Sequence, residues 1–300
     1  MKSGPDSLLA ALGLIVVSFP AFAAPQTFNT ALPVAEGEFV TREFGFIRER
    51  SDGPNPLDRE VDIIGGVAVL GYGISGTLSV FGVLPVLDKE LKLTTPAGLR
   101  VTRKTSGIGD AKLFARYTLF KDDAPGRTFR IAPFAGIEMP TGNNKDHDSL
   151  GRLPATFQLG SGSWDPFAGI IGTYQTLGFE IDVQASAKFN RRADGFEFGD
   201  VYGLDASLQY RLWPRELTSD VSGFFYGVIE GNLVYKQKNR IRGVRDRNSG
   251  GTSLFVAPGV QYVTRRWIAE SIVQIPVMQD LNDWAIRDDY IARAGVRFNF

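Results

Sequence analysis

Residues Phe179–Asn190 have the sequence FEIDVQASAKFN, which is the clearest indication of secondary structure in this chain. Apolar residues occupy every second position from Phe179 to Phe189, and polar residues fill the positions between them. A period of two places one set on each face of a β-strand, whereas an amphipathic helix needs apolar spacings of three and four. The same alternation runs through Tyr202–Leu212 and Tyr290–Phe300. These residues therefore predict long strands with one apolar and one polar face.

Roughly twelve segments carry this pattern. The predicted strands are 38–49, 60–71, 76–86, 108–120, 128–139, 163–175, 178–190, 200–212, 223–236, 253–264, 267–278 and 289–300. The connections alternate between short turns and long polar loops, and the long loops are 50–59, 87–107, 140–162, 237–252 and 279–288. Short turns at one end and long loops at the other are typical of transmembrane β-barrels.

The composition excludes several kinds of site. The 300 residues include no Cys and one His, which excludes disulfides, thiolate zinc sites and any site that needs two imidazoles. The 33 basic and 33 acidic residues balance, so the chain has no overall positive charge to attract nucleic acid. We expect no cofactor, no metal site and no nucleic-acid partner.

The N-terminus has the pattern of an export signal. Lys2 precedes an apolar run over Leu8–Phe22, which ends in the small-residue site Ala21-Phe22-Ala23. This run is short for a membrane anchor, and no later apolar run reaches about 18 residues. We therefore predict a signal peptide over residues 1–23, cleaved after Ala23, and a single domain over residues 24–300.

Three features favour a membrane barrel over a soluble β-sandwich. The predicted strands are long enough to cross a bilayer when tilted. Aromatic residues such as Phe179 and Phe189 stand near both ends of the apolar faces. Charges such as Asp182 and Asp205 stand in mid-strand, where a wet lumen tolerates them. The predicted fold class is all-β, a closed antiparallel transmembrane β-barrel of about 12 strands, within a range of about 10–14, in a bacterial outer membrane.

The last strand carries a second signal. Its alternating apolar residues resemble the C-terminal strand of bacterial outer-membrane proteins, which the barrel-assembly machinery reads. The resemblance implies that machinery as a partner and an assembly signal made by Tyr290, Val296, Phe298 and Phe300.

Turning the apolar faces toward lipid places charges of both signs in the lumen. The predicted lumen acids are Asp110, Glu138, Glu180, Asp182, Asp205, Glu230 and Glu270. The predicted lumen bases are Lys112, Arg116, Arg130, Lys188, Arg211, Lys236, Arg293 and Arg297. The two signs nearly balance, which predicts weak charge selectivity. Opposite charges on neighbouring strands would also brace the wall, so a structural role stays open beside a role in transport.

Two loops contain residues that suggest other functions or partners. Asp146, His147 and Ser149 would suit a lipid hydrolase, but catalytic groups that are neighbours in a polar loop rarely assemble a triad. We therefore predict no enzyme, and keep an outer-membrane lipid-modifying hydrolase and a non-conducting structural barrel as alternatives. The basic stretch Lys236–Arg247 is either a solvated loop or a contact for lipopolysaccharide phosphates, which makes outer-membrane lipid and lipopolysaccharide expected partners.

Three motifs carry a family resemblance: Gly107–Asp110 followed by Ala111–Tyr117, Met139–Gly142, and Gln274–Val277 followed by Gln279-Asp280. In order and spacing the chain resembles the family of outer-membrane β-barrel transporters described as the putative MetA-pathway of phenol degradation. The resemblance implies a porin-like channel for passive passage or uptake of small organic solutes, aromatic ones included. We expect the first two motifs at opposite rims of the barrel, and a lumen narrowed by loops 87–107 and 140–162.

Overall fold

Twelve antiparallel strands close into a single barrel in the computed structural model, which describes residues 23–51, 55–215 and 221–300. The barrel strands are β1 (Phe39–Ser51), β2 (Glu60–Gly73), β3 (Leu78–Thr94), β4 (Arg100–Ile108 and Ala111–Tyr117), β5 (Arg127–Met139), β6 (Asp165–Thr176), β7 (Phe179–Lys188), β8 (Val201–Trp213), β9 (Gly223–Lys236), β10 (Gly251–Thr264), β11 (Trp267–Leu281) and β12 (Arg287–Asn299). Pairing of β12 with β1 closes the barrel, and the fold class is confirmed. Apart from Ala23, the predicted signal peptide lies outside the described residues.

The prediction of a loop over residues 87–107 is wrong. β3 continues to Thr94, and the chain returns from Arg100 to Ile108 as the first segment of β4, paired with β3 alone. Ion pairs on the outer face hold this hairpin, since Glu90 contacts both Lys92 and Lys104. The polar composition predicts a loop, but the charges pair across strands instead. The second segment of β4 then pairs with both β3 and β5.

The connections define the orientation of the barrel. Tight turns join strands at one end, which we assign to the periplasm because long loops lie at the other end. The short elements are the strand Phe120–Ala124 beside β5, the strand pairs His147–Asp148 with Gly151–Arg152 and Arg192–Ala193 with Phe196–Glu197, the pair Arg240–Ile241 with Val244–Arg245, and a 3₁₀ turn over Ala155–Phe157. Among the described residues, no helix is long and apolar enough to cross a membrane.

The outer wall has the surface of an outer-membrane protein. Side chains such as Ile64, which is 62% exposed, point away from the barrel. Aromatic side chains surround both ends of the barrel. The ring centres of Phe39 and Tyr72 lie 4.7 Å apart at the periplasmic end, and those of Tyr202 and Tyr235 lie 6.1 Å apart at the extracellular end. An apolar band between two aromatic girdles is what a lipid bilayer requires of a barrel. The chain is therefore a bacterial outer-membrane barrel.

The sheet opens locally between its last two strands. Pairing of β11 with β12 ends at Gln274 and Ile291. Beyond that point β11 pairs only with β10, while β12 keeps its pairing with β1 up to Ser51. The β10–β11 ladder is itself irregular near Pro258, which has no N–H to donate.

Candidate functional site

The residues that precede β1 lie inside the barrel. We call residues 23–36 the N-terminal segment. At one end, the Ala24 N–H donates to Gln261 Oε1 on β10 at 3.3 Å, and Gln261 Nε2 donates to the Ala24 carbonyl oxygen at 2.6 Å. At the other end, the Val34 N–H donates to Ser79 Oγ on β3 at 3.1 Å. The chain leaves the lumen at the periplasmic end, where the Gly37 N–H donates to the Gly73 carbonyl oxygen at 2.9 Å.

Glu230 on β9 is the main anchor of this segment. Its carboxylate accepts the Gln26 N–H at 2.6 Å, the Thr27 N–H at 3.1 Å and the Thr27 hydroxyl. Asn232, on the same face of β9, donates to Thr27 Oγ1 at 2.9 Å. The Glu230 side chain is only 1% exposed, and these donors replace the water that a buried carboxylate loses.

A second set of contacts holds the middle of the segment. Thr173 Oγ1 on β6 accepts the Ala31 N–H at 2.8 Å and lies 3.2 Å from the Thr30 hydroxyl oxygen. Arg116 on β4 donates to the Leu32 carbonyl oxygen at 2.5 Å, and its guanidinium lies over the Phe81 ring. The segment therefore crosses the lumen and contacts strands on several sides of it.

An apolar cluster of the wall packs against the same segment. The rings of Phe81 and Phe114 stack at 4.8 Å, and Phe134 meets Phe114 edge-on at 6.2 Å. Ala31 and Val34 pack on this cluster. The lumen is thus two-sided at the level of the segment, with phenylalanine on β3–β5 and polar groups on β6–β11.

Several predicted lumen acids bind other wall residues. Asp205 accepts Gln184 Nε2 at 3.0 Å and Asn232 Nδ2 at 2.9 Å. Asp182 accepts the Thr173 hydroxyl, and Glu180 accepts Gln175 Nε2. These bonds join neighbouring strands on the inner face of the barrel, so they brace the wall.

Six of the eight predicted lumen bases fall into three groups. Lys112 and Lys188 both contact Glu138, with Lys112 Nζ 3.0 Å from its carboxylate. Arg297 lies 3.6 Å from Glu270, and the Arg293 guanidinium lies 5.9 Å from the centre of the Phe44 ring.

The third group lies at the periplasmic end. Arg130 lies 3.3 Å from Asp123 in the turn between β4 and β5. Arg211 donates to the Arg215 carbonyl oxygen at 3.2 Å and lies over the Phe224 ring. Both side chains are bound to turn residues at the rim.

Asp110 ties the long loop 140–162 to the barrel. Its carboxylate accepts the Gly142 N–H at 2.9 Å and the Ser161 N–H at 2.6 Å. The Thr141 hydroxyl donates to the Gly109 carbonyl oxygen at 2.8 Å. The expectation that these two motifs lie at opposite rims is wrong: they meet at the extracellular rim, because β4 descends from the first and β5 rises to the second.

Loop 140–162 folds over the extracellular mouth. Leu153 and Phe157 pack on Val61 and Leu91, which face the lumen from β2 and β3. Lys89 Nζ donates to the Gln158 carbonyl oxygen at 2.6 Å. The mouth is therefore covered on this side.

The sequence pattern does not predict the inward charges of β1. Arg42 Nε lies 2.6 Å from Glu270 and Arg48 Nε lies 2.6 Å from Asp288. Assigning the apolar face outward does not work for β1, since Glu43 and Glu49 stand on its other face. No pattern in β1 alone distinguishes the two faces.

The loop around His147 is held to β4 by hydrogen bonds. The His147 ring is exposed, with Nδ1 3.4 Å from the Lys145 carbonyl oxygen. Arg103 donates to both oxygens of Asp148, at 2.8 Å and 2.7 Å, and this hydrogen bonding lowers the pKa of the Asp148 carboxyl. Among the residues described, no group of three or more His, Cys, Asp or Glu is placed to hold a metal ion.

The residues predicted as an assembly signal lie on the outer face of β12 and at its end. Val296, Phe298 and Phe300 are exposed, and the Phe300 ring stacks on Phe39 at 6.0 Å. The Tyr290 hydroxyl donates to Glu49 at 2.6 Å.

The barrel is similar to solved outer-membrane structures. An outer membrane channel from Pseudomonas putida F1 aligns with a TM-score of 0.68 and 14% identity, covering 93% of this chain and 100% of that one. The β domain of the Bordetella autotransporter BrkA aligns with a TM-score of 0.46 and 12% identity, over 88% and 100% of the two chains. The CymD monoaromatic hydrocarbon channel aligns with a TM-score of 0.40 and 12% identity, over 89% of each chain.

No curated protein sequence matches the chain. A family model does match it, over residues 37–270, which include the first two motifs and end before the third. Those residues extend from the start of β1 into β11 and so cover most of the barrel. This chain belongs to the family described as "Putative MetA-pathway of phenol degradation".

Proposed function

We propose that this chain is a channel for passive passage or uptake of small organic solutes, including aromatic ones, and that the N-terminal segment is its plug. One observation carries the proposal. In the part of the chain that is described, every hydrogen bond between residues 24–34 and the wall involves a side chain. The segment is not a strand of the sheet, so it leaves the lumen without breaking the barrel.

The strength of these contacts fits a reversible plug. A hydrogen bond contributes about 1 kcal/mol net, and one to a charged group about 1.5–3 kcal/mol. The contacts to Glu230, Thr173 and Arg116 together keep the closed state dominant under resting conditions. A gate requires two conformations whose free energies differ by only a few kcal/mol.

A disulfide across the plug tests the proposal. The chain has no native cysteine, and the hydroxyl oxygens of Thr30 and Thr173 lie 3.2 Å apart. The double variant Thr30→Cys/Thr173→Cys is refolded into planar bilayers and measured before and after reduction, with Thr30→Cys alone as the matched control. We expect silence when oxidised and discrete current steps when reduced.

The same variant gives the solute readout. Liposomes that contain the reduced variant should swell in isotonic arabinose, and those that contain the oxidised variant should not. Current or swelling that is equal in both redox states would contradict a plug that must move. Silence of the wild type and of the reduced variant, with both barrels folded, would overturn the channel itself and favour the structural barrel.

We also propose the export and assembly steps. Signal cleavage after Ala23 would leave Ala24, beside Gln261, as the first residue. N-terminal sequencing of the protein from an outer-membrane fraction tests this, and any other first residue would contradict it. Removal of Phe300 should lower the amount of assembled barrel if the assembly machinery reads the last strand.

A further inference from the structure

The charges of the lumen separate into two levels. Around the N-terminal segment, the acids Glu180, Asp182, Asp205, Glu230 and Glu270 face the bases Arg42, Arg116, Arg293 and Arg297. Between this segment and the extracellular loops lies a second level, which we call the upper chamber. Its inward bases are Arg48, Arg50, Lys89, Lys112, Lys188 and Lys236, and its inward acids are Asp110, Glu138, Asp165 and Asp288.

The acids of the upper chamber are shared between cations. Asp288 lies 2.6 Å from Arg48 and 3.2 Å from Arg50. Glu138 is contacted by both Lys112 and Lys188 in the same way. Six cations against four carboxylates leave an excess of two positive charges at this level.

Donors remain unused in this level. Lys236 is exposed to the lumen, and no hydrogen bond or ion pair of its ammonium occurs among the described residues, although charged side chains of both signs lie near it, with Arg48, Arg50 and Lys188 outnumbering Asp288. Lys89 donates only to the Gln158 carbonyl oxygen. Clustered like charges are costly without an anion between them.

Apolar side chains lie among these cations. Ile63 on β2 stands directly between Arg48 on β1 and Lys89 on β3, because the register pairs it with both. One row higher, Val61 lies between Arg50 and Leu91, and Phe157 of the covering loop packs on them. The chamber therefore offers positive charge and an apolar surface side by side.

We propose that the upper chamber is a binding site for a small organic anion, with a carboxylate on an apolar body of about one ring. The carboxylate would accept hydrogen bonds from Lys236 and Lys89, and the apolar body would lie on Ile63 and beneath Phe157. This assignment rests on the proposed function, since it names the solute class that the channel takes up. It also replaces the weak charge selectivity expected from a balanced composition with a preference for anions.

Binding is tested apart from transport. The probe is benzoate, and benzyl alcohol is the neutral molecule of matching size. The oxidised Thr30→Cys/Thr173→Cys barrel serves as the protein, so that the plug stays in place while calorimetry in detergent and low salt measures Kd. We expect benzoate to bind roughly tenfold or more tighter than benzyl alcohol, since a charge-assisted hydrogen bond is worth that much.

Variants locate the site. Lys236→Gln and Lys89→Gln should each weaken benzoate binding roughly tenfold. Lys121→Gln is the matched control, because Lys121 lies in the periplasmic turn beside Asp123, and its Kd should stay within about twofold of the parent. Equal binding of benzoate and benzyl alcohol, or unchanged binding by both lumen variants, would overturn the site. Benzoate binding in a barrel that never conducts would keep the site and overturn the channel, whereas conduction without benzoate binding would do the reverse.

Discussion

The side-chain amide of Gln279 binds both backbone groups of Asp288. Its Nε2 donates to the Asp288 carbonyl oxygen at 2.9 Å, and its Oε1 accepts the Asp288 N–H at 2.9 Å. These two bonds replace the ladder where β11 and β12 have separated beyond Gln274 and Ile291. The third motif of the chain thus contributes a clasp across the opened part of the wall.

Removing this clasp should destabilise the extracellular end of β12. Gln279→Ala removes the two hydrogen bonds to the backbone N–H and carbonyl oxygen of Asp288. We therefore expect the free energy of unfolding to fall by about 1–2 kcal/mol. Urea unfolding in detergent measures the loss, and amide hydrogen exchange locates it. Asp280→Ala is the control, since Asp280 is exposed and its carboxylate has no bond among the residues described. Equal stability of the two variants would contradict the clasp.

Removing the main anchor should open the channel. Glu230→Ala deletes the acceptor for the Gln26 and Thr27 N–H groups, and a loss of about 3 kcal/mol would raise the open population roughly a hundredfold. Single-channel recording should show longer or more frequent openings. Asp165→Asn is the matched control, because Asp165 is also buried but its Oδ1 accepts the Ser163 hydroxyl and the Arg191 N–H, neither of which belongs to the N-terminal segment. A similar rise in opening for both variants would indicate general loosening of the barrel instead.

Asp110 should decide how firmly loop 140–162 is held. Asp110→Ala frees the Gly142 and Ser161 N–H groups at the two ends of the loop, so local opening becomes easier by roughly a hundredfold. Trypsin cleavage after the exposed Lys145 and Arg152 should then accelerate. Asp110→Asn keeps one acceptor oxygen, so its cleavage rate should lie between the rates of the wild type and of Asp110→Ala. An unchanged cleavage rate in Asp110→Ala would show that the packing of Phe157 holds the loop alone.

The contact between Arg103 and Asp148 should respond to acid only at low pH. The hydrogen bond from Arg103 lowers the pKa of Asp148 from its ordinary value of 3.8. The contact therefore contributes fully above that value and is lost as the pH falls through the lower folded-state pKa. A spin label on Leu150→Cys, unique because the chain has no cysteine, should stay immobile from neutral pH to about 4 and become mobile below it.

The control for this titration removes the partner. With Arg103→Gln, the label should be mobile already at neutral pH. Any remaining change in its mobility should occur closer to pH 3.8, the ordinary pKa of the Asp148 carboxyl. A mobility change centred well above 3.8 in the parent would contradict the assigned cause.

The wall of the barrel is predictable from sequence because its causes are local. The alternation over Phe179–Lys188 predicts a strand, and lipid on one side with water on the other decides which face is apolar. The inward positions of Asp205 and Glu230 follow from the same rule. The rule fails for β1, where Arg48 and Glu49 stand on opposite faces and neither face is apolar.

The position of the N-terminal segment inside the barrel is not predictable in this way. Residues 24–36 have no period, and two prolines, Pro25 and Pro33, break any regular element. The position of Gln26 depends on Glu230, which is 204 residues away in the chain. Such a pair is found only when the closed barrel brings β9 to the N-terminus. The hairpin of β3 and β4 fails for a different reason, since its outer charges look like a loop until they are paired across strands.

The position of the N-terminal segment constrains the order in which this protein assembles. The barrel closes when β1 pairs with β12, the two strands most distant in sequence, which makes that pairing the slowest contact to form. Until then the polar faces of β6, β9 and β10 are accessible from the side, and residues 24–34 reach them without passing through a mouth. The wall is therefore best completed around a segment of chain that is already in place, so that the proposed plug is present from the moment the barrel closes.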